Sequence, residues 1–373
     1  MKETVYQYIL GKGKAFATFI DLSKAFDLVD HFVLGDQLLE RNIPPDIVLL
    51  LMCYLRNQSA RVCWNKHSGS YIDIEKGVRQ GGILSPFLFK LYLDATIRNI
   101  SSQDTGCQLG FLRLNIIAYA DDLVVLADSQ KNLEYLYGVL ERELKSLKLV
   151  MNKRKSKCMI FGKTVGSGDV STVSLAGDTF EVVREYKYLG HFVNECLSEE
   201  RDISFRLNNF YSKFNSLFRN FNKVSIETFM YLFNSYCVPD YGLGLWNPGN
   251  TFNKQIFKAF ETAYSNALKK IIGVPVYSSS HITADLCGQL LFKHHVSFIQ
   301  ARYMKRVLMY KNEITLLCSP YLRNGCLCKY VISHFKNTYD CDFYENDLEI
   351  LRARVEWLQR HESRRGIFKF NEI

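Results

Sequence analysis

The spacing of apolar residues changes along the chain and divides it into two regions. Up to about residue 195, short apolar runs alternate with amphipathic stretches, while beyond 200 apolar residues recur at helical spacing. AFATFIDL, Ala15–Leu22, has the character of a buried strand that delivers Asp21 at its tip. Helical stretches follow, one over Pro45–Arg56 opened by the Pro44-Pro45 pair. Residues 59–64 and 71–74 predict a short hairpin, and Pro86–Ile100 a helix after a Gly-Gly turn. NIIAYADDLVVLA, residues 115–127, reads as two apolar strands joined at the pair Asp121-Asp122. Leu133, Leu136, Leu140, Leu144 and Leu147 line one face of a helix over 132–149. Ser156–Phe161 is another strand, and the Gly/Ser-rich segment 162–171 a flexible connection. Val173–Val183 then forms a hairpin turning at Gly177-Asp178.

In the second region Ile203, Leu207, Phe210, Phe214, Leu217 and Phe221 form one stripe. Ser225 caps the next helix, which stops near Pro239. A third helix, Phe252–Ile272, ends at Gly273 and Pro275, and others cover 292–310 and 348–360.

Composition narrows the class. Hydrophobic residues make up 47% of 373, enough for two or three packed domains. The eleven cysteines show no compact framework of spacings, so reduced thiols in an intracellular compartment are expected. The longest apolar run is too short to span a bilayer, and the first residues lack a signal peptide's apolar core, so no membrane partner is expected. A net charge of +9 gives a mild bias towards polyanions, and basic residues concentrate between Arg142 and Lys163.

The chemistry lies in the carboxylates. A strand-end aspartate, Asp21, and a hairpin-tip pair, Asp121 and Asp122, can meet on one sheet and hold magnesium, which takes a few carboxylates and completes its shell with phosphates. Two such ions activate a 3′-hydroxyl and steady a leaving pyrophosphate. The competing reading of Asp-Asp is a solvated bend, against which the apolar flanks argue.

FIDLSKAFD, GVRQGGILSPFLF, AYADD, LKLVMNKRKSK and YKYLG stand in the order and approximate spacing of reverse transcriptase motifs A to E. The chain resembles non-LTR (LINE-type) retrotransposon reverse transcriptases over roughly Thr4–Pro275, continuing through VPDYGLGLW and ALKKIIGVP. The resemblance implies an α+β fold: a right-hand polymerase palm, antiparallel sheet with packed helices, over 1–195. An α-helical thumb over 196–275 and a helical C-terminal region over 276–373, able to bind RNA, would follow. It implies RNA-directed DNA polymerase activity on an RNA template, a DNA primer and dNTPs, with two Mg2+ ions that Mn2+ can replace.

By the same resemblance Asp21, Asp121 and a supporting Asp122 bind metal, with the Leu22 carbonyl as a further ligand. Phe26 would exclude the 2′-hydroxyl of the incoming sugar, although its helical spacing from Leu22 and Val29 also fits ordinary core. Arg79, Gln80 and Gly81 would contact the nucleotide, and Ser85-Pro86 would cap the following helix. Lys155, three residues after Asn152, would protonate the leaving pyrophosphate, or else belong with Lys153, Arg154 and Lys157 to a phosphate-tracking patch. Tyr188, Leu189 and Gly190 would grip the primer, and Arg206 and Lys213 would contact duplex from a solvated helix face. Cys326, Cys328, His334 and Cys341 invite comparison with a zinc knuckle, but their spacing fits poorly and zinc is not expected.

The resemblance also implies a fingers subdomain and an endonuclease upstream of motif A, neither of which this sequence contains. Two readings follow: a truncated polymerase, or a catalytically inactive nucleic-acid-binding remnant of such an element. A viral-type RNA-dependent RNA polymerase shares the palm, but Phe26 and Ala120 argue against it. The expected location is an element ribonucleoprotein in the nucleus or cytoplasm.

Overall fold

The computed structural model describes residues 1–109, 112–162, 171–246, 254–309, 326–339, 343, 348–353, 355–356 and 359. They divide into two compact units, essentially Glu3–Tyr186 and Lys187–Ile373, so the chain parts nine residues before the expected boundary at 195.

The first unit is built on an antiparallel sheet of five strands: β1 (Ala15–Ser23), β2 (Ile116–Tyr119), β3 (Asp122–Ala127), β4 (Val150–Met151) and β5 (Lys157–Phe161). β1 is central. β3 flanks it on one edge with β2 outside, and β4 and β5 pair with successive parts of its other edge. The gap between β4 and β5 is the turn Asn152–Ser156. Helices Ser85–Ser101 and Gln130–Ser146 cover one face, with Leu88, Phe89, Tyr92, Leu133, Leu136 and Leu140 in a continuous core beside Ile20, Leu22, Leu123 and Val125. Each such side chain contributes about 1.5–3 kcal/mol by leaving water, and that anchors the strands whose ends carry the acids.

Several predicted elements recur with shifted ends. Pro45–Arg56 is a helix with the predicted bounds. The predicted hairpin over 59–74 consists of two short pairings, Ser59–Ala60 with Ile72–Asp73 and, nested inside, Cys63–Trp64 with His67–Ser68. The later hairpin turns at Ala176-Gly177, both left-handed, not at Gly177-Asp178. Asp178 is therefore a strand residue, which lets it bond Tyr137 and Lys153. Most of the predicted connection over 162–171 lies outside the described residues.

Among its described residues the second unit is helical apart from a leading strand, His191–Asn194, which pairs in a hairpin with Glu185–Tyr188. Ile203, Leu207, Phe210, Phe214 and Leu217 of the predicted stripe on Glu200–Phe221 share one core with Lys254–Ile272 and Phe292–Met309 around Phe233, Trp246, Phe260 and Phe292, while Phe221, its last predicted member, is exposed. Ser225 accepts from the Thr228 N–H and so caps its helix as predicted. A separate small core joins Met304, Val331, Phe335, Leu351 and Val355. No helix among the described residues is long and apolar enough to cross a membrane.

Candidate active site

Alternation along the strands decides which face carries the acids. Ile20 and Leu22 on β1, and Leu123 and Val125 on β3, face the helices, so Asp21 and Asp122 project from the other face. They are direct cross-strand partners. Side chains so placed have Cβ atoms about 4.5–5.5 Å apart, and like charges there repel. Burial first, then the charges of Asp121 and Asp21, push the Asp122 carboxyl above its ordinary value.

Tyr119 pairs with Asp122 across the hairpin, so the two turn residues are Ala120 and Asp121, and Asp122 opens the strand. Ala120 has φ 52°. A side-chain-bearing residue in that region costs about 1–2 kcal/mol, strain of the kind found at functional sites. Among the described residues no group of three or more His, Cys, Asp or Glu forms a ready metal cage. The three predicted carboxylates thus share one end of the β1–β3 ladder without closing round a point. Their mutual repulsion is what a divalent cation relieves, and the donor set suits one that draws its remaining ligands from phosphates. Leu22, the further predicted ligand, has its side chain buried on the helix face, in register with Met151.

Two residues absent from the sequence predictions stand beside the acids. Ser156, 1% exposed, accepts a hydrogen bond from the Asp21 N–H at 3.1 Å and donates to the Asn152 carbonyl at 2.9 Å. The Asn152 N–H donates to the Asp21 carbonyl at 2.7 Å. The turn carrying Lys155 is thereby latched to the backbone of Asp21. Ser156→Ala should lower stability by about 1 kcal/mol or somewhat more, because a partly buried N–H loses its acceptor. Urea unfolding of the two proteins side by side would check it. Tyr186 stacks on Phe19, ring centroids 4.3 Å apart. Its hydroxyl is raised by burial and then by the charges of Asp122 and Asp21. Both residues lie inside the quoted motifs LKLVMNKRKSK and YKYLG, but they act through contacts distant in sequence that the motifs do not reveal.

The basic turn is less uniform than its sequence. Lys153 pairs with Asp178 at 2.6 Å and Lys157 with Glu181 at 2.6 Å. Lys155 and Arg154 are exposed. A phosphate-tracking patch here would therefore have two of its four cations already engaged.

Phe26 lies in the 3-10 turn Ala25–Leu28, partly buried, its ring stacked on Phe89 at 4.7 Å. Gly77 and Val78 donate their N–H groups to the carbonyls of Val29 and Phe26, each at 2.8 Å, and strap the Gly77–Gly82 loop to this turn. Gly77 has φ 91°, and a Cβ there would stand 2.9 Å from the Phe26 carbonyl and the Asp27 backbone. Gly77→Ala should cost about 2 kcal/mol or more, since strain and clash add, and calorimetry should show the lowered Tm. Arg79, Gln80 and Gly81 are exposed, with Gln80 Nε2 donating to Asp27 at 3.3 Å. Ser85 does not cap the helix. It is the first helical residue, and its hydroxyl donates back to the Arg79 carbonyl.

In the second unit Tyr188 and Leu189 are partly buried and Gly190 is exposed. Arg206 departs from its prediction as a nucleic-acid contact. It is only 9% exposed, and its guanidinium is paired with Asp202 at 2.8 Å. The hairpin turn and the segment at Gly242 cover its end of the helix face. Lys213, two turns on, remains exposed, with Nζ 5.0 Å from the Tyr236 ring centroid. Of the knuckle-like set, only the His334 side chain lies within the described residues, bonding Ser297 at 2.9 Å. Cys341 and the side chains of Cys326 and Cys328 lie outside them.

The chain is similar to several known proteins. Residues 3–193 match the family model described as reverse transcriptase (RNA-dependent DNA polymerase). The chain is 30% identical, over 48% of its length and 18% of the relative's, to the retrovirus-related Pol polyprotein from type-1 retrotransposable element R2 of Nasonia vitripennis. It is 25% identical, over 81% of its length and 33% of the relative's, to the RNA-directed DNA polymerase from mobile element jockey of Drosophila melanogaster. It thus spans between about a fifth and a third of these relatives. A solved telomerase from Candida Tropicalis, in complex with a fragment of telomeric RNA, aligns over 95% of this chain and 51% of its own, at 12% identity and a TM-score of 0.44. Half of the sequence, including every predicted palm motif, matches one family model, and the chain belongs to the reverse transcriptase (RNA-dependent DNA polymerase) family.

Proposed function

We propose that the chain is the polymerase core of a non-LTR retrotransposon reverse transcriptase, adding dNTPs to a DNA primer on an RNA template. The observation that carries the proposal is the pairing of Asp21 with Asp122 across adjacent strands, with Asp121 on the turn that joins β2 to β3. Asp21 and Asp121 would hold magnesium with help from Asp122 and the Leu22 carbonyl; bound magnesium would supply Lewis-acid stabilisation of the phosphates. Phe26 would abut the 2′ position of the incoming sugar, supported from behind by Phe89. Arg79, Gln80 and Gly81 would meet the nucleotide, and Lys155 would give a proton to pyrophosphate as it leaves. Tyr188–Gly190 would set the primer end and Lys213 would touch duplex phosphate, within an element ribonucleoprotein.

The test is Mg2+-dependent dNTP addition by the 373-residue chain on a primed RNA, with hybrid binding measured in parallel across a salt series. Incorporation together with binding that weakens steeply as salt rises is the expected result. Salt-sensitive binding without incorporation would overturn the polymerase reading in favour of an inactive nucleic-acid-binding remnant.

A further inference from the structure

The turn Leu189-Gly190 is held at both of its carbonyls from within the second unit. The Tyr241 hydroxyl donates to the Leu189 carbonyl, and Arg206 Nη2 donates to the Gly190 carbonyl at 3.2 Å. Both turn residues are left-handed, with φ 48° at Leu189 and 74° at Gly190. Glycine adopts that conformation freely, but leucine does not, so the turn depends on what restrains it.

The restraint is itself anchored. Asp202, with no exposed surface, accepts from Arg206 Nε at 2.8 Å, from Trp246 Nε1 at 2.8 Å and from the Phe192 N–H at 3.2 Å, with His191 Nδ1 at 3.1 Å. Gly242 leaves the room the guanidinium occupies, since a Cβ there would stand 2.5 Å from Arg206 Nη2. The Tyr241 ring in turn closes over Gly190, 3.3 Å from where a Cβ would be. A backbone turn whose sequence signal is three residues long is thus held by side chains 16 and 52 positions further on.

We infer that Arg206, Tyr241 and Asp202 are positioning residues for the primer 3′ end, acting by locking the Leu189-Gly190 backbone and not by touching nucleic acid. The inference rests on reading Tyr188–Gly190 as the primer grip. Arg206 is then a structural support and not a duplex contact, and within VPDYGLGLW Tyr241 supplies the hydroxyl and Gly242 the space for the guanidinium.

The test compares the Kd of the full chain for an RNA–DNA hybrid with a recessed DNA 3′ end against that for a blunt hybrid. Polymerase activity is not needed. Wild type should prefer the recessed end. Tyr241→Phe removes one hydroxyl and should lower the preference about fivefold, the scale of one lost hydrogen bond, at an essentially unchanged Tm. Arg206→Lys should lower it as well, since an ammonium does not reproduce the fork that spans Asp202 and Gly190. A Tyr241→Phe protein with undiminished preference would overturn the inference. A wild-type chain indifferent to the recessed end, or a Tyr188→Ala variant that keeps the full preference, would instead remove the primer-grip reading on which it stands.

Discussion

Under the proposed function, Asp121→Asn should abolish nucleotide addition while leaving hybrid affinity within about twofold, because the proposed duplex contacts are to phosphates elsewhere. The expected loss is about 10³-fold or more in rate, equivalent to about 4 kcal/mol of transition-state stabilisation. The substitution keeps the size and turn preference of the side chain, so the β2–β3 hairpin should survive. It also removes one of the two negative charges that raise the Asp122 carboxyl. The variant should therefore be at least as stable as wild type, and loss of activity at an undiminished Tm would separate chemistry from folding. Activity retained within tenfold would place the metal-binding carboxylates elsewhere. A parallel Asp21→Asn variant should behave in the same way, since Asp21 faces Asp122 across the ladder.

Asp202→Ala should destabilise the second unit by about 3–5 kcal/mol, the usual consequence of leaving a buried partner charge uncompensated. Arg206, 9% exposed, would lose its counter-charge, and the Trp246 indole and Phe192 N–H would lose their acceptor. Urea unfolding followed by tryptophan emission would show the midpoint shift. Burial alone would raise the Asp202 carboxyl, but its bonds to His191, Arg206 and Trp246 outweigh that and hold it well below its ordinary value of 3.8. A carboxyl lowered on folding stabilises the native state above that ordinary value, and the stabilisation fades as pH falls through the native one. Wild type should thus begin to lose its margin over Asp202→Ala below about pH 4, and the two unfolding midpoints should draw together as the pH falls further. Equal midpoints at neutral pH would show that Asp202 contributes nothing.

The palm was largely legible from local pattern. Ala15–Leu22 announced a strand and residues 115–127 a strand pair, because buried strands need apolar runs and turns need residues that tolerate them. Helices with one apolar stripe, such as Gln130–Ser146, declared their buried face in the same way. The turn at Ala120-Asp121 was placed one residue late, since nothing in YADD says which two residues leave the ladder. Register across the hairpin settled it.

Arg206 marks where local reading stops. Helical spacing correctly put it on the same side of its helix as Lys213, but spacing cannot say which end of a face another element will cover. The Leu189-Gly190 turn and Gly242 close over Arg206, and Lys213 stays in solvent. Ser156 and Tyr186 escaped for the same reason: one acts through the Asp21 amide 135 residues away, the other through the ring of Phe19. The sequence by itself determined the family and the order of elements, because those rest on residue types at short fixed spacings. Only the tertiary structure decided that Asp21 opposes Asp122 and that Arg206 supports a turn, because strand register and burial are set by residues far apart in the chain.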